Sequence, residues 1–139
     1  MTWRILPPDL VALDDLALEE GEGLLVLGVF SDVRPLSGLA ALVDWRLCGS
    51  VSRILRAGFA TGALGERVLL PTRGRLTHDR ALLMGLGPRH EHRADRALAV
   101  ARETGAIAQD LDVRTLTTGL FGLEVLPSPL ERTSRELID

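Results

Sequence analysis

The run Leu24-Leu25-Val26-Leu27-Gly28-Val29-Phe30, introduced by the turn-forming Gly21-Glu22-Gly23, contains no polar side chain. Successive side chains of a strand point to opposite faces, so a strand wetted on one side alternates and a strand covered on both sides does not. The run therefore reads as a central strand lying between two layers, which the rest of the chain has to supply. Arg67-Val68-Leu69-Leu70 and Arg80-Ala81-Leu82-Leu83-Met84-Gly85-Leu86 have the same character. Trp3-Arg4-Ile5-Leu6 and Val113-Arg114-Thr115-Leu116-Thr117 read as shorter, more peripheral strands.

Helical spacing fills the intervals between these strands. Leu36, Leu39, Ala40, Val43, Leu47, Val51, Ile54 and Leu55 recur three and four residues apart, so one face of that segment must be buried. Gly49 interrupts it and Ser50 suits an N-cap, which predicts two helices broken near Cys48-Gly49-Ser50. Ala94, Ala97, Leu98, Ala101, Gly105 and Ala108 form a small-residue stripe that lets a helix over 91–110 approach the sheet closely. Ser128-Pro129-Leu130-Glu131 has the form of a capping box and predicts a last helix. Leu10-Val11-Ala12-Leu13 fits either a short helix or an extended connection. Strands alternating with helices give one domain over 1–139, an α/β three-layer sandwich with a mixed, mostly parallel sheet. The last helix reaches Asp139 with no strand after it, so the expectation is a sheet member that is either missing or supplied by another molecule.

Composition removes several kinds of chemistry. With 139 residues, 46% of them hydrophobic, the chain can bury a core without disulfides or metals. All 16 of its Lys plus Arg positions are arginine, so neither a lysine Schiff base nor a P-loop lysine exists here. Cys48 stands alone, and the start Met1-Thr2-Trp3-Arg4 lacks a secretory signal, which predicts a cytoplasmic setting. No apolar run approaches the roughly 20 residues of a membrane helix, so no membrane partner is expected.

Each candidate site has a plainer reading beside it. His90-Glu91-His92 holds potential metal ligands, but His-x-His aligns its rings only in an extended segment and no second ligand group accompanies it. It reads as a solvated helix start. His78-Asp79 resembles an oriented base without a nucleophile and reads as a loop before a strand. Asp14-Asp15 and Glu19-Glu20 read as a solvated acidic face, Cys48 as a buried thiol, and Trp3 and Trp45 as core or interface residues. No catalytic residue, cofactor or metal site is assigned. The span from Arg73 to Arg96 carries a local excess of positive charge, for which solubilising surface arginines are the favoured reading and a convergent anion site the sharper one. Arg73, Arg75, Arg80, Arg89, Arg93 and Arg96 are opposed there only by Asp79, Glu91 and Asp95. If the two preceding strands are adjacent and parallel, Arg73, Arg75, Gly87, Arg89 and Arg93 meet on one rim, where backbone amides after Gly87 could hold an anion.

The collinear order of Leu24 to Phe30, Leu36-Ser37-Gly38-Leu39-Ala40, Gly58-Phe59 with Gly62, Leu69-Leu70-Pro71-Thr72, and Leu82-Leu83-Met84-Gly85-Leu86-Gly87 resembles the N-terminal domain of the M17 leucyl aminopeptidases. The resemblance is strongest from Leu24 to Arg89, and its pieces are structural. It implies a macrodomain-like fold and a cytoplasmic location. In that family the two metal ions, a catalytic lysine, the acidic ligands and an Asn-Thr-Asp-Ala-Glu-Gly-Arg motif belong to the C-terminal domain. None of these is present in this sequence, so no catalytic role carries over to any position of it. The family's N-terminal domain helps to assemble the oligomer, some bacterial members bind DNA, and related macrodomains bind ADP-ribose. The expectation is a non-catalytic domain acting through protein contacts, with itself or with a separate peptidase chain. The alternative is an anion, nucleotide, ADP-ribose or DNA-binding module using the arginine-rich loops.

Overall fold

The computed structural model describes residues 2–5 and 23–119. The helix expected after Ser128, the acidic pairs at 14–15 and 19–20, and the stretch at 10–13 lie outside the described residues. A five-stranded sheet runs in the order β1-β5-β2-β4-β3, with β1 Thr2–Ile5, β2 Gly23–Phe30, β3 Arg67–Pro71, β4 Arg80–Gly87 and β5 Thr115–Thr118. All neighbouring strands pair in parallel except β3 and β4, which are antiparallel. Among the described residues the helices that join them are α1 Gly38–Arg46, α2 Ser50–Ala57 and α3 Ala94–Asp110.

The apolar run of β2 lies at the centre, as its lack of alternation requires. Leu24, Val26, Leu82, Met84, Leu86 and Leu116 face α3 through Ala97, Val100, Ala101 and Ala108. Leu25, Leu27, Val29, Ala81 and Leu83 face α1 and α2 through Leu39, Val43, Leu47 and Val51. The helix break falls where the sequence places it: Gly49 has φ of +82°, Cys48 is also left-handed at +57°, and the two helices diverge from there. The alanine stripe lets α3 sit low on the sheet, and Gly105 lies against the Trp3 ring.

Two strand assignments are corrected. β3 is no central strand; its residues alternate between exposed and half-buried, and it forms the antiparallel edge. Val68 and Leu70 pack inward toward the α1 and α2 layer, while Arg67 and Leu69 point to the other, open side. The segment around Thr115 is not peripheral, because β5 lies between β1 and β2 with all its residues buried. Threonine tolerates that position because it is β-branched and can satisfy its own hydroxyl: Thr118 Oγ1 donates to Val26 O at 3.0 Å. Helix α3 starts at Ala94 rather than at 91, since Arg89–Glu91 is a separate 3-10 turn after Pro88 and Arg93 is extended.

The segment 61–66 closes the carboxyl end of the sheet. Gly87 N donates to Gly62 O and Gly85 N to Glu66 O, both at 2.8 Å, so this loop runs beside β4 like an extra strand. A Cβ on Gly85 would lie 1.9 Å from Ala63 O, and one on Gly62 would lie 2.6 Å from Phe30 O. Those two positions can only be glycine at this spacing.

Candidate functional site

The antiparallel β3–β4 pairing decides what the arginines can do. Because Pro71 pairs with Arg80 and Arg67 with Met84, the loop carrying Arg73 and Arg75 lies at the amino end of β4. Gly87, Arg89, Arg93 and Arg96 follow its carboxyl end. An eight-residue strand separates the two groups by roughly 25 Å. The single anion-binding rim expected from parallel strands does not form; the arginines divide into two sets at opposite ends of the sheet.

At the carboxyl end a crevice lies over β2 and β5. Val29, Phe30, Val33, Ser37, Gly38, Thr118 and Gly119 line it, with Arg89 the only tentative anion ligand among them. Asp32 Oδ1 accepts from Arg89 N at 3.0 Å, and Arg34 Nη1 donates to Phe30 O at 2.8 Å, fixing the walls. Arg96 is drawn away to Glu91 at 3.3 Å, and Arg93 is exposed at the start of α3. The crevice encloses about 60 Å³. A nucleotide-sized ligand takes a pocket of about 300 Å³ or more, so the crevice in this form admits waters or a small anion.

At the amino end, Arg73 and Arg75 face α2 across an open groove of about 600 Å³. Leu47, Ile54, Ala57, Phe59, Leu70 and Pro71 supply its apolar surface, and Arg53 joins the other two arginines at its wall. Sequence reading missed Arg53 because it lies outside the charge-rich span, and only the packing of α2 on β3 brings it there. Cys48, expected to be buried, is exposed and also lines this groove. The left-handed turn at Cys48 and Gly49 turns the thiol outward instead of into the core.

The histidines separate. His90 is exposed beside Glu91, whereas His92 is buried with its ring edge-on to Phe30 at 5.1 Å, so the reading of both as a solvated helix start fails for His92. His78 precedes β4 as expected but is buried, 1% exposed, and neither ring nitrogen has a hydrogen-bond partner. Burial, aided by the nearby Arg4 charge and opposed by Asp79, lowers its pKa to about 4, so the ring is neutral at physiological pH. Trp3 packs on the α3 side of the core, while Trp45 is 70% exposed with Arg46 over its ring. Among the described residues no three of His, Cys, Asp and Glu come together as metal ligands, and no helix is long and apolar enough to cross a membrane.

This α/β/α sandwich is the fold of a macrodomain. The macrodomain of Mycobacterium tuberculosis DarG superposes with a TM-score of 0.67, covering 98% of this chain and 87% of that one, at 12% identity. Within that fold class the chain belongs to the cytosol aminopeptidase family, whose N-terminal domain it matches over residues 26–138. It is 24% identical over 100 residues to a probable cytosol aminopeptidase of Alkaliphilus metalliredigens, covering 72% of this chain and 20% of that protein. Against the probable cytosol aminopeptidase of Burkholderia multivorans it is 38% identical over 63 residues, 45% of this chain and 12% of the relative. The match to the Burkholderia mallei protein reaches 41% over the same length. The chain thus spans a fifth or less of the length of these relatives, and the matched portion is the N-terminal domain alone.

Proposed function

We propose that this chain is a non-catalytic, cytoplasmic member of the cytosol aminopeptidase family that works through protein contacts, with a second copy of itself or with a separate peptidase chain. The observation that carries this reading is β3, whose outer edge pairs with no strand among the described residues, together with the segment leading into it, on which Phe59, Leu64 and Leu69 are 82%, 52% and 43% exposed. Exposed apolar side chains beside an open strand edge are the usual raw material of an interface. The portion of the family that this sequence matches is the N-terminal domain, and the histidines of the described residues are dispersed to separate environments. Sedimentation velocity over a wide concentration range, with and without a separately produced peptidase chain of the same family, tests the reading. Self-association or a mixed complex is expected, and the purified chain is expected to turn over no leucine anilide with added manganese or zinc. A strictly monomeric chain that also ignores the peptidase, or metal-dependent turnover abolished by replacing one of its own acidic residues, would overturn it.

A second reading, an anion or nucleotide module, draws support from Arg89 lining the crevice beside the start of α1, at the carboxyl ends of parallel strands where such sheets bind ligands. It requires the crevice to widen for ADP-ribose or another nucleotide. Titration with ADP-ribose, inorganic phosphate and duplex DNA at low salt tests it, and binding unchanged by Arg89→Ala plus Arg93→Ala would remove this site.

A further inference from the structure

We infer that the groove between α2 and β3 is a docking site for an acidic peptide segment carrying apolar anchors, contributed by a partner protein. This inference rests on the protein-contact reading above and names the surface and chemistry of the contact. Three guanidinium groups, Arg53, Arg73 and Arg75, border the groove and no carboxylate is among its lining residues. The chain as a whole carries a net charge of −3, so this concentration of positive charge runs against its average. None of the three arginines makes an ion pair among the described residues. Their charge is available to a ligand.

The positions of these arginines are built rather than incidental. Arg53 is held at the wall by donating to Cys48 O at 2.8 Å and to Ser50 Oγ at 3.2 Å. The β3–β4 connection is closed at its base by Thr72, whose N–H donates to Asp79 O at 2.9 Å and whose hydroxyl donates to His78 O. Arg75 N donates to Thr72 O at 3.1 Å, so the tip is a tight turn. Arg73 holds a left-handed backbone, φ +54°, at the tip of this turn and lines the groove with Arg53 and Arg75.

Between the arginines lie Ile54, Ala57, Leu70 and the exposed Phe59. Phosphate or nucleic acid would use the cations and leave this apolar floor uncovered; a neutral apolar segment would use the floor and leave the cations unpaired. A segment that alternates carboxylates with leucine-like side chains uses both. The volume of about 600 Å³ suits several side chains of an extended peptide.

The test uses the whole chain and a fluorescent peptide of alternating glutamate and leucine. Two control peptides replace its glutamates by glutamine or its leucines by serine. Anisotropy reports binding, and the rate of maleimide labelling at Cys48 reports whether the groove is covered. The glutamate–leucine peptide is expected to bind at least tenfold more tightly than either control and to slow Cys48 labelling. Arg73→Ala plus Arg75→Ala is expected to weaken it about tenfold, and Arg89→Ala plus Arg93→Ala, at the other end of the sheet, less than twofold. All four positions are exposed, so the variants retain the fold, which circular dichroism checks. The inference is overturned by equal affinity for the glutamine control, by sensitivity to the Arg89 pair instead, or by phosphate or duplex DNA protecting Cys48 as well as the peptide does. Absence of peptide binding while sedimentation still shows complexes would remove the groove and leave the protein-contact reading standing; absence of both would remove the two together.

Discussion

His78 and Glu66 show how single residues respond oppositely to burial. The imidazole of His78 sits in the core without a partner for either nitrogen, and its pKa falls to about 4 from 6.5 because the charged form loses its water. The unfolded chain therefore binds a proton more readily than the folded one between those values. The protonation-linked cost of His78 is absent above about pH 6.5, and folding weakens as pH drops from there toward 4, by up to about 3 kcal/mol. Urea denaturation across pH 4–8 is expected to show this slope, and His78→Leu is expected to flatten it; an unchanged slope would show that another group is responsible. Glu66 lies on the loop at the opposite end of the sheet. Desolvation pushes its pKa up, but donation from Thr61 N at 2.6 Å, Thr61 Oγ1 at 2.8 Å and Gly62 N outweighs that and leaves the pKa lowered. Its contribution is thus present above the ordinary carboxylate pKa and lost as pH falls through the lowered value. Glu66→Ala is expected to destabilise by about 1 kcal/mol at neutral pH and by less in acid, measured by the same titration.

The elements fit together most tightly where the 61–66 loop lies against β4. Gly85→Ala puts a methyl group into the Ala63 carbonyl, and because both partners are backbone neither can turn aside. A loss of about 3 kcal/mol or more is expected in thermal or urea unfolding, with early hydrogen exchange at the Gly87 and Gly85 amides that bond this loop. Gly85→Ala at wild-type stability would mean that the loop is not held there. The existence and order of the elements were legible in the sequence because β2, the broken helix pair and the alanine stripe each carry a periodicity that only one environment satisfies. The partners of the strands were less so. β3 reads Arg-Val-Leu-Leu, apolar enough for a centre, and only its antiparallel pairing shows that Leu69 points outward at an edge. β5 reads as polar, yet it is buried: Thr118 Oγ1 bonds to Val26 O, while Thr117 Oγ1 is buried without a partner. Strand direction also decides the candidate site: parallel strands would group Arg73 and Arg75 with Arg89 on one rim, whereas the antiparallel β3–β4 pairing sends them to the far end, beside Arg53.

At the scale of the whole molecule, the self-association proposed above would use the outer edge of β3, which pairs with no strand among the described residues. A two-fold axis pairing β3 with its own copy in antiparallel fashion makes an isologous contact, in which the same residues face each other from both sides. Centred on Leu69, such a pair sets Leu69 against its counterpart, Val68 against Leu70, and Arg67 against Pro71. The arginines then avoid one another and the exposed leucines are covered, whereas other registers bring Arg67 toward Arg67 or leave Leu69 wet. Pro71 lacks an N–H and ends the ladder, so the pairing is short and the association weak, in the micromolar range or above. Leu69→Lys puts two cations opposite each other at the axis and is expected to raise the dissociation constant about tenfold or more in sedimentation equilibrium, without loss of fold, since the side chain is 43% exposed. The glutamate–leucine peptide should still protect Cys48 in that variant, because the groove opens on the other face of β3, where Leu70 points. A dimer that Leu69→Lys leaves intact would place the contact elsewhere, and Trp45→Ser, which removes the large exposed ring of α1, is the variant that would then separate a helix-face dimer from an edge-strand one.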